Sequence, residues 1–169
     1  MNSKVWMSGL AIGAALALAG CSGSPAPASG GDDPEPEAQG TGAIDCSGID
    51  SAKVAEYGLY VQLLAQLNSP DQLESFTSIG FTPEKFDAAL DNLEPVRSLG
   101  AGQFGDPGDA LDFYRGLNDT VSDLLAKGDG VTQADVDAYA AQAGGVENVL
   151  AKQLAINAPL SDACPDLDA

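Results

Sequence analysis

The stretch PGDALDFYRGLNDTVSDLLAK, residues 107–127, decides the fold. Advanced at about 100° per residue, Phe113, Tyr114, Leu117, Val121 and Leu124 fall on one stripe, and Asp109, Asp112, Asp119 and Asp123 fall on the other side. That is an amphipathic helix with one face to bury. Asp106 offers a side-chain oxygen to the first unpaired N–H groups. Pro107 suits the first helical position, where a missing N–H costs nothing. Gly128 closes the segment.

The flanking sequence repeats the pattern. Ser69-Pro70 and Thr82-Pro83 carry the same start signal, and Thr132 with Asp135 three residues later resembles a capping box. Over residues 83–99, Phe86, Ala89, Leu90, Leu93 and Val96 share one face, Asp87, Asp91 and Glu94 share the other, and Pro95 should kink or end the helix. Residues 50–68 are apolar around most of the circumference and predict the most buried helix. Residues 70–78 predict a short helix carrying Leu73 and Phe76. Residues 133–158 keep Val136, Tyr139, Ala143, Leu150 and Leu154 in phase across Gly144-Gly145, which predicts one long, locally weakened helix stopped by Pro159. Nothing alternates with the period of a strand. The expected fold over residues 44–169 is all-α, a four-helix bundle with one extra short helix.

The start of the chain reads differently. Lys4 precedes an apolar run from Val5 to Leu18, broken by Ser8, Gly9 and Gly13. The run is short for a spanning helix, which needs about 20 apolar residues. It fits the apolar region of an export signal, and it ends in Leu18-Ala19-Gly20-Cys21. That tetrapeptide resembles the lipobox of bacterial lipoproteins. The resemblance implies a diacylglyceryl group on the Cys21 thiol, cleavage before Cys21, and, as in many members, acylation of the new amine. It covers residues 1–21 and implies a lipid anchor at the extracytoplasmic face of a bacterial membrane, since two acyl chains suffice for stable anchoring. Residues 1–20 are then the signal peptide, and residues 21–43 the lipidated cysteine and its linker.

The linker holds Pro25, Pro27, Pro34 and Pro36, and residues 22–42 have no Val, Ile, Leu, Met or aromatic side chain. Such a segment cannot offset the entropy of ordering itself. Extended, it would reach roughly 65 Å, enough to hold the domain off the membrane.

With Cys21 lipidated, Cys46 and Cys164 remain, one at each end of the domain. In an oxidising compartment such a pair is expected to bridge, the alternative being two reduced structural thiols. A bridge brings the two ends together, which suits an even number of antiparallel main helices.

Charge and composition narrow the function. The chain carries 25 acidic and seven basic residues, a net charge of −18; removing residues 1–20 takes away Lys4 and no acid, leaving −19. That argues against nucleic acid, whose phosphates need Lys and Arg. There is no histidine, so catalysis by Ser-His-Asp or Cys-His and any His metal ligand are excluded. Asp129 to Asp135 imitates half of a calcium loop, but with Gly130 at the sixth position the first, third and twelfth positions are Leu125, Lys127 and Val136. Asp106 and Asp109 at a helix start read as a cap. Glu56 and Glu147, near apolar stripes, are the acids to watch for burial. Tyr57, Tyr60, Tyr114 and Tyr139 sit on apolar or boundary faces and are the candidates for holding an apolar ligand, set against ordinary core packing. No catalytic residue, metal or cofactor is expected. The expected function is a non-enzymatic, membrane-anchored interaction module meeting another envelope protein or the cell wall; the alternative is a binding protein for a small apolar ligand or a cation.

Overall fold

The computed structural model describes residues 43–167. The chain is all-α there, with α1 (Ser51–Gln66), α2 (Asp71–Ser78), α3 (Pro83–Asn92), α4 (Pro107–Lys127), α5 (Gln133–Ala143) and α6 (Gly145–Ala163). Short 3-10 turns at Cys46–Gly48, Glu94–Leu99 and Gly128–Gly130 join them. The signal segment, Cys21 and the linker to residue 42 lie outside the described residues.

The helices begin where side chains can satisfy their first N–H groups. The Asp50 carboxylate accepts from Ala52, Thr82 from Lys85, and Asp106 from both Gly108 and Asp109. Thr132 and Asp135 form the reciprocal capping box. Ser69 does not cap α2 as its sequence suggests. Gln72 reaches back instead, and its Oε1 accepts from the Asn68 and Ser69 N–H groups at 2.7 and 3.2 Å. Pro95 acts as expected: α3 ends at Asn92 and the chain tightens into the 3-10 turn over Glu94–Leu99.

Helices α1, α3, α4 and α6 close a ring, each packed on two of the others, while α2 and α5 are additional to it. Neighbours in the ring run antiparallel. The start of α1 meets the end of α3, where Asn92 exchanges hydrogen bonds with the Asp50 backbone at 2.9 and 3.1 Å. Early α3 meets late α4, where the buried Asn118 amide donates to the Pro83 carbonyl and to Asp87. Two arginines lock the other end of that pair: Arg115 bridges Asp91 and Glu94, and Arg97 bridges Glu94 and Asp112. Cys46 and Cys164 are disulfide-bonded with Cα atoms 5.7 Å apart, so the two ends of the domain do meet.

One apolar core fills the ring. Phe86, Ala89, Leu90, Leu93 and Val96 are all fully enclosed, as their shared face requires. The most enclosed helix is α4, with nine buried residues, and not α1, with five. Helix α4 is covered by α5 and by the Glu94–Leu99 turn as well as by its ring neighbours, while α1 keeps Leu59 and Glu56 exposed.

The expected long helix over residues 133–158 is two helices. Gly144 (φ +68°) and Gly145 (φ +83°) both sit in left-handed backbone, which stops α5 and restarts the chain as α6. The break changes which side of the chain meets the core. Helix α6 buries Val149, Ala155, Ile156 and Leu160, and leaves Leu150 and Leu154 outside. Nor does Pro159 stop the helix; it lies inside α6, which continues to Ala163.

Candidate functional site

The break at Gly144-Gly145 creates the first unusual surface. Val146, Leu150 and Leu154, spaced by four residues, form a ridge along the outer face of α6 and are 52%, 40% and 47% exposed. Single exposed apolar residues are ordinary, but a row on consecutive turns is a candidate contact surface. Glu147 lies beside the row, is exposed, and makes no ion pair among the described residues. The basic residues Arg97, Arg115 and Lys127 are all tied to acids elsewhere, the last to Asp135 at 2.6 Å.

The second surface is a cleft of about 530 Å³ at the disulfide end. Its roof is the loop after the Glu94–Leu99 turn. Gly100 (φ +72°) turns the chain, and Gly102 and Gly105 exchange two backbone hydrogen bonds of 2.9 and 3.1 Å, which leaves Gln103 and Phe104 at the tip. Beneath it, α6 presents Ala155, Ala158 and Pro159, small enough to leave a hollow, and Ile44 closes one side. Pro159 has no N–H, so the Ala155 carbonyl one turn earlier loses its helical donor. Asp162 and Gln103 supply the polar side chains of the lining, and no lining residue is basic.

None of the four tyrosines lines this cleft. All four are buried in the core, and Tyr57, Tyr60 and Tyr114 pack into one aromatic cluster with Phe81 and Phe86; Tyr57 meets Tyr114 edge-on at 5.5 Å between centroids, and Tyr60 meets Phe81 at 4.7 Å. Their hydroxyls differ. Tyr114 donates to the Val149 carbonyl at 2.6 Å, and Tyr139 donates to the Leu64 carbonyl at 2.8 Å. The Tyr57 hydroxyl is buried with no partner of acceptable geometry. Burial, and then the neighbouring Tyr114, push its pKa well above the usual phenol value. Desolvation raises the pKa of Tyr114 and Tyr139 in the same direction. Tyr139 also borders a shallow depression between α4 and α5.

The candidate acids are either exposed or engaged in capping and ion pairs. Glu56 and Glu147 are both exposed. Asp106 caps α4, and Asp135 is held far below the usual carboxylate range by Lys127 first and then by the Thr132 backbone and hydroxyl. No group of three or more metal-ligating side chains occurs among the described residues. No helix among them is long and apolar enough to cross a membrane.

Comparison of the chain with known protein families, with characterised proteins and with solved structures finds no match. Sequence reasoning missed both surfaces. The signal for the ridge was present in the adjacent glycines, which can adopt left-handed backbone and shift the phase of everything after them. The signal for the cleft was the run of Gly and Ala at residues 100–105 opposite a Pro-bearing helix, which is legible only once the two are known to face each other.

Proposed function

We propose that the chain is a non-enzymatic interaction module of the bacterial cell envelope, held at the extracytoplasmic face by lipid on Cys21, and that it binds an envelope protein through the outer face of α6. The observation that carries this reading is the exposed ridge Val146, Leu150 and Leu154 on an otherwise acidic domain. An apolar strip at the centre of a contact supplies the hydrophobic term. Exposed Glu147 beside it, on a domain of strongly negative net charge, favours a partner strip edged by Lys or Arg. The sequence Leu18-Ala19-Gly20-Cys21 and the Pro-rich, acidic composition of the segment after it support the anchored placement.

Photocrosslinking in the host tests this. A crosslinking residue at position 150 should give one discrete adduct, and the same residue at Asp119 on α4 should not. Leu154→Ser should weaken the adduct severalfold while the melting temperature stays near wild type. Equal adducts from both positions, no adduct, or an adduct with the mass of two copies of this chain would overturn the reading.

A second reading, binding of a small apolar ligand or a cation, is favoured by the cleft at the disulfide end. Its volume falls in the range of small-molecule sites.

A further inference from the structure

We propose that the cleft between the Gly100–Gly105 loop and α6 is a binding site for an amphiphilic amine, a small molecule with an apolar body and one ammonium group. The inference rests on the second reading above and is independent of the α6 ridge.

The walls set the body of the ligand. Phe104 at the loop tip, Leu99 at its root, Ile44 and the Pro159 ring give an apolar lining around about 530 Å³. Ala155 and Ala158 keep the floor low, where larger side chains would fill the space. The loop is braced at its tip by the pair of backbone hydrogen bonds between Gly102 and Gly105.

The polar groups set the head. The Asp162 carboxylate is an acceptor with a negative charge. The Ala155 carbonyl, left without a helical donor by Pro159, is an acceptor only. Gln103 can serve as either. The one charged side chain of the lining is Asp162, and a positive donor would pair with it with charge assistance. A carboxylate or phosphate would meet the negative charge of the exposed Asp162 with no basic residue in the lining to offset it. The nearest arginine, Arg97, lines an adjoining groove, and its guanidinium is already bound to Glu94 and Asp112. The net charge of −18 raises the local concentration of small cations. That general attraction brings an amine to the surface, and the cleft is what would hold its apolar body.

The test uses the full chain held in phosphatidylcholine nanodiscs, with empty nanodiscs as the control for partitioning. Three probes share one body: 4-(4-fluorophenyl)butylamine, the corresponding alcohol and the corresponding carboxylate, each followed by fluorine NMR. The amine should bind saturably, the alcohol more weakly, and the carboxylate not at all. Ala158→Phe fills the hollow without changing net charge and should weaken amine binding at least tenfold. Asp162→Asn should bring the amine down toward the alcohol. If Ala158→Phe proves unfolded by circular dichroism, Phe104→Ala at the exposed loop tip replaces it, with the same direction expected. Amine binding untouched by both variants would show adsorption to the acidic surface and overturn the site. Equal binding of all three probes, abolished by Ala158→Phe, would keep a small-ligand cleft and overturn the amine class. No saturable binding of any probe would overturn both.

Discussion

Replacing Gly144 by alanine tests the break between α5 and α6 directly. Gly144 closes α5 with φ +68° and ψ 21°, and its N–H reaches the carbonyls of Ala140 and Ala141. A left-handed conformation costs an alanine about 1–2 kcal/mol. The added Cβ would also lie 3.0 Å from Asn148 Nδ2 and 3.3 Å from the Asn148 Cβ and Cγ. Asn148 uses that nitrogen to hold the Ala143 carbonyl at 2.7 Å, so yielding to the new methyl sacrifices a hydrogen bond worth about 1 kcal/mol. Against this, alanine lowers the entropy of the unfolded chain, a gain of about 0.4–1 kcal/mol. The net expectation is a loss of about 2 kcal/mol, or roughly 8 °C in melting temperature for a domain of this size. Gly145 is a built-in control. Its φ is +83°, but a Cβ there meets nothing within 4 Å, so Gly145→Ala keeps only the backbone cost and should lose about 1 kcal/mol. Urea denaturation followed by far-UV circular dichroism measures both. A Gly144→Ala variant as stable as wild type, or more helical, would mean that α5 and α6 continue as one helix and that Leu150 and Leu154 turn back to the core. The reverse ordering of the two variants would refute the crowding at Asn148.

Replacing Cys46 and Cys164 together with alanine opens a loop of 118 residues; it should cost about 2–5 kcal/mol and keep the helical spectrum at room temperature, and thiol titration of the denatured, unreduced Cys21→Ala protein should find no free thiol in the parent. Tyr57→Phe removes a hydroxyl without a partner and should be neutral or stabilising by up to about 1 kcal/mol, whereas Tyr114→Phe and Tyr139→Phe should each lose about 1 kcal/mol; equal losses at all three in thermal melts would contradict the hydrogen-bond assignment. Asp135 has its pKa depressed on folding, so its contribution is complete above the unfolded carboxylate value near 4 and is lost as pH falls toward the folded value; the stability gap between wild type and Asp135→Asn should therefore be present at neutral pH and shrink on acidification below about pH 4, and a gap that widens there would reverse the assignment. Cys21→Ala should abolish membrane association in cell fractionation, and a variant bound as firmly as wild type would sink the anchor.

The all-α fold was legible because its determinants are local. Asp106-Pro107 and Thr82-Pro83 announce helices with groups that lie next to them in sequence, and the face of Phe86, Leu90 and Leu93 can be computed from spacing alone. The disulfide was legible because Cys46 and Cys164 bracket the helices. The failures share one cause, which is that distant packing chose between local alternatives. Periodicity across Gly144-Gly145 is compatible with one helix, and only the competition between two α6 faces for the core, won by Val149, Ile156 and Leu160, shows which is used. Pro159 can end a helix or sit inside one, and the packing of α6 against α1 and α4 carries the helix past it. The tyrosines were placed on the right faces, but whether such a face borders a hollow or a filled core depends on neighbours from three other helices.

The disulfide also sets how the domain bears a mechanical load. A pull entering at Ala43 and resisted at the α6 ridge has two covalent routes. The long one runs through α1 to α5 and would have to peel the ring helix by helix. The short one runs from Cys46 across the sulfur bridge to Cys164 and straight back along α6 to Leu154. Tension takes the stiffer, shorter route, so the force passes along one edge of the bundle and the packed core stays unstrained. Under reducing conditions the same pull would be redirected through α1, the helix at whose start the chain enters the domain, and the domain would begin to unravel from the end that the bridge otherwise closes.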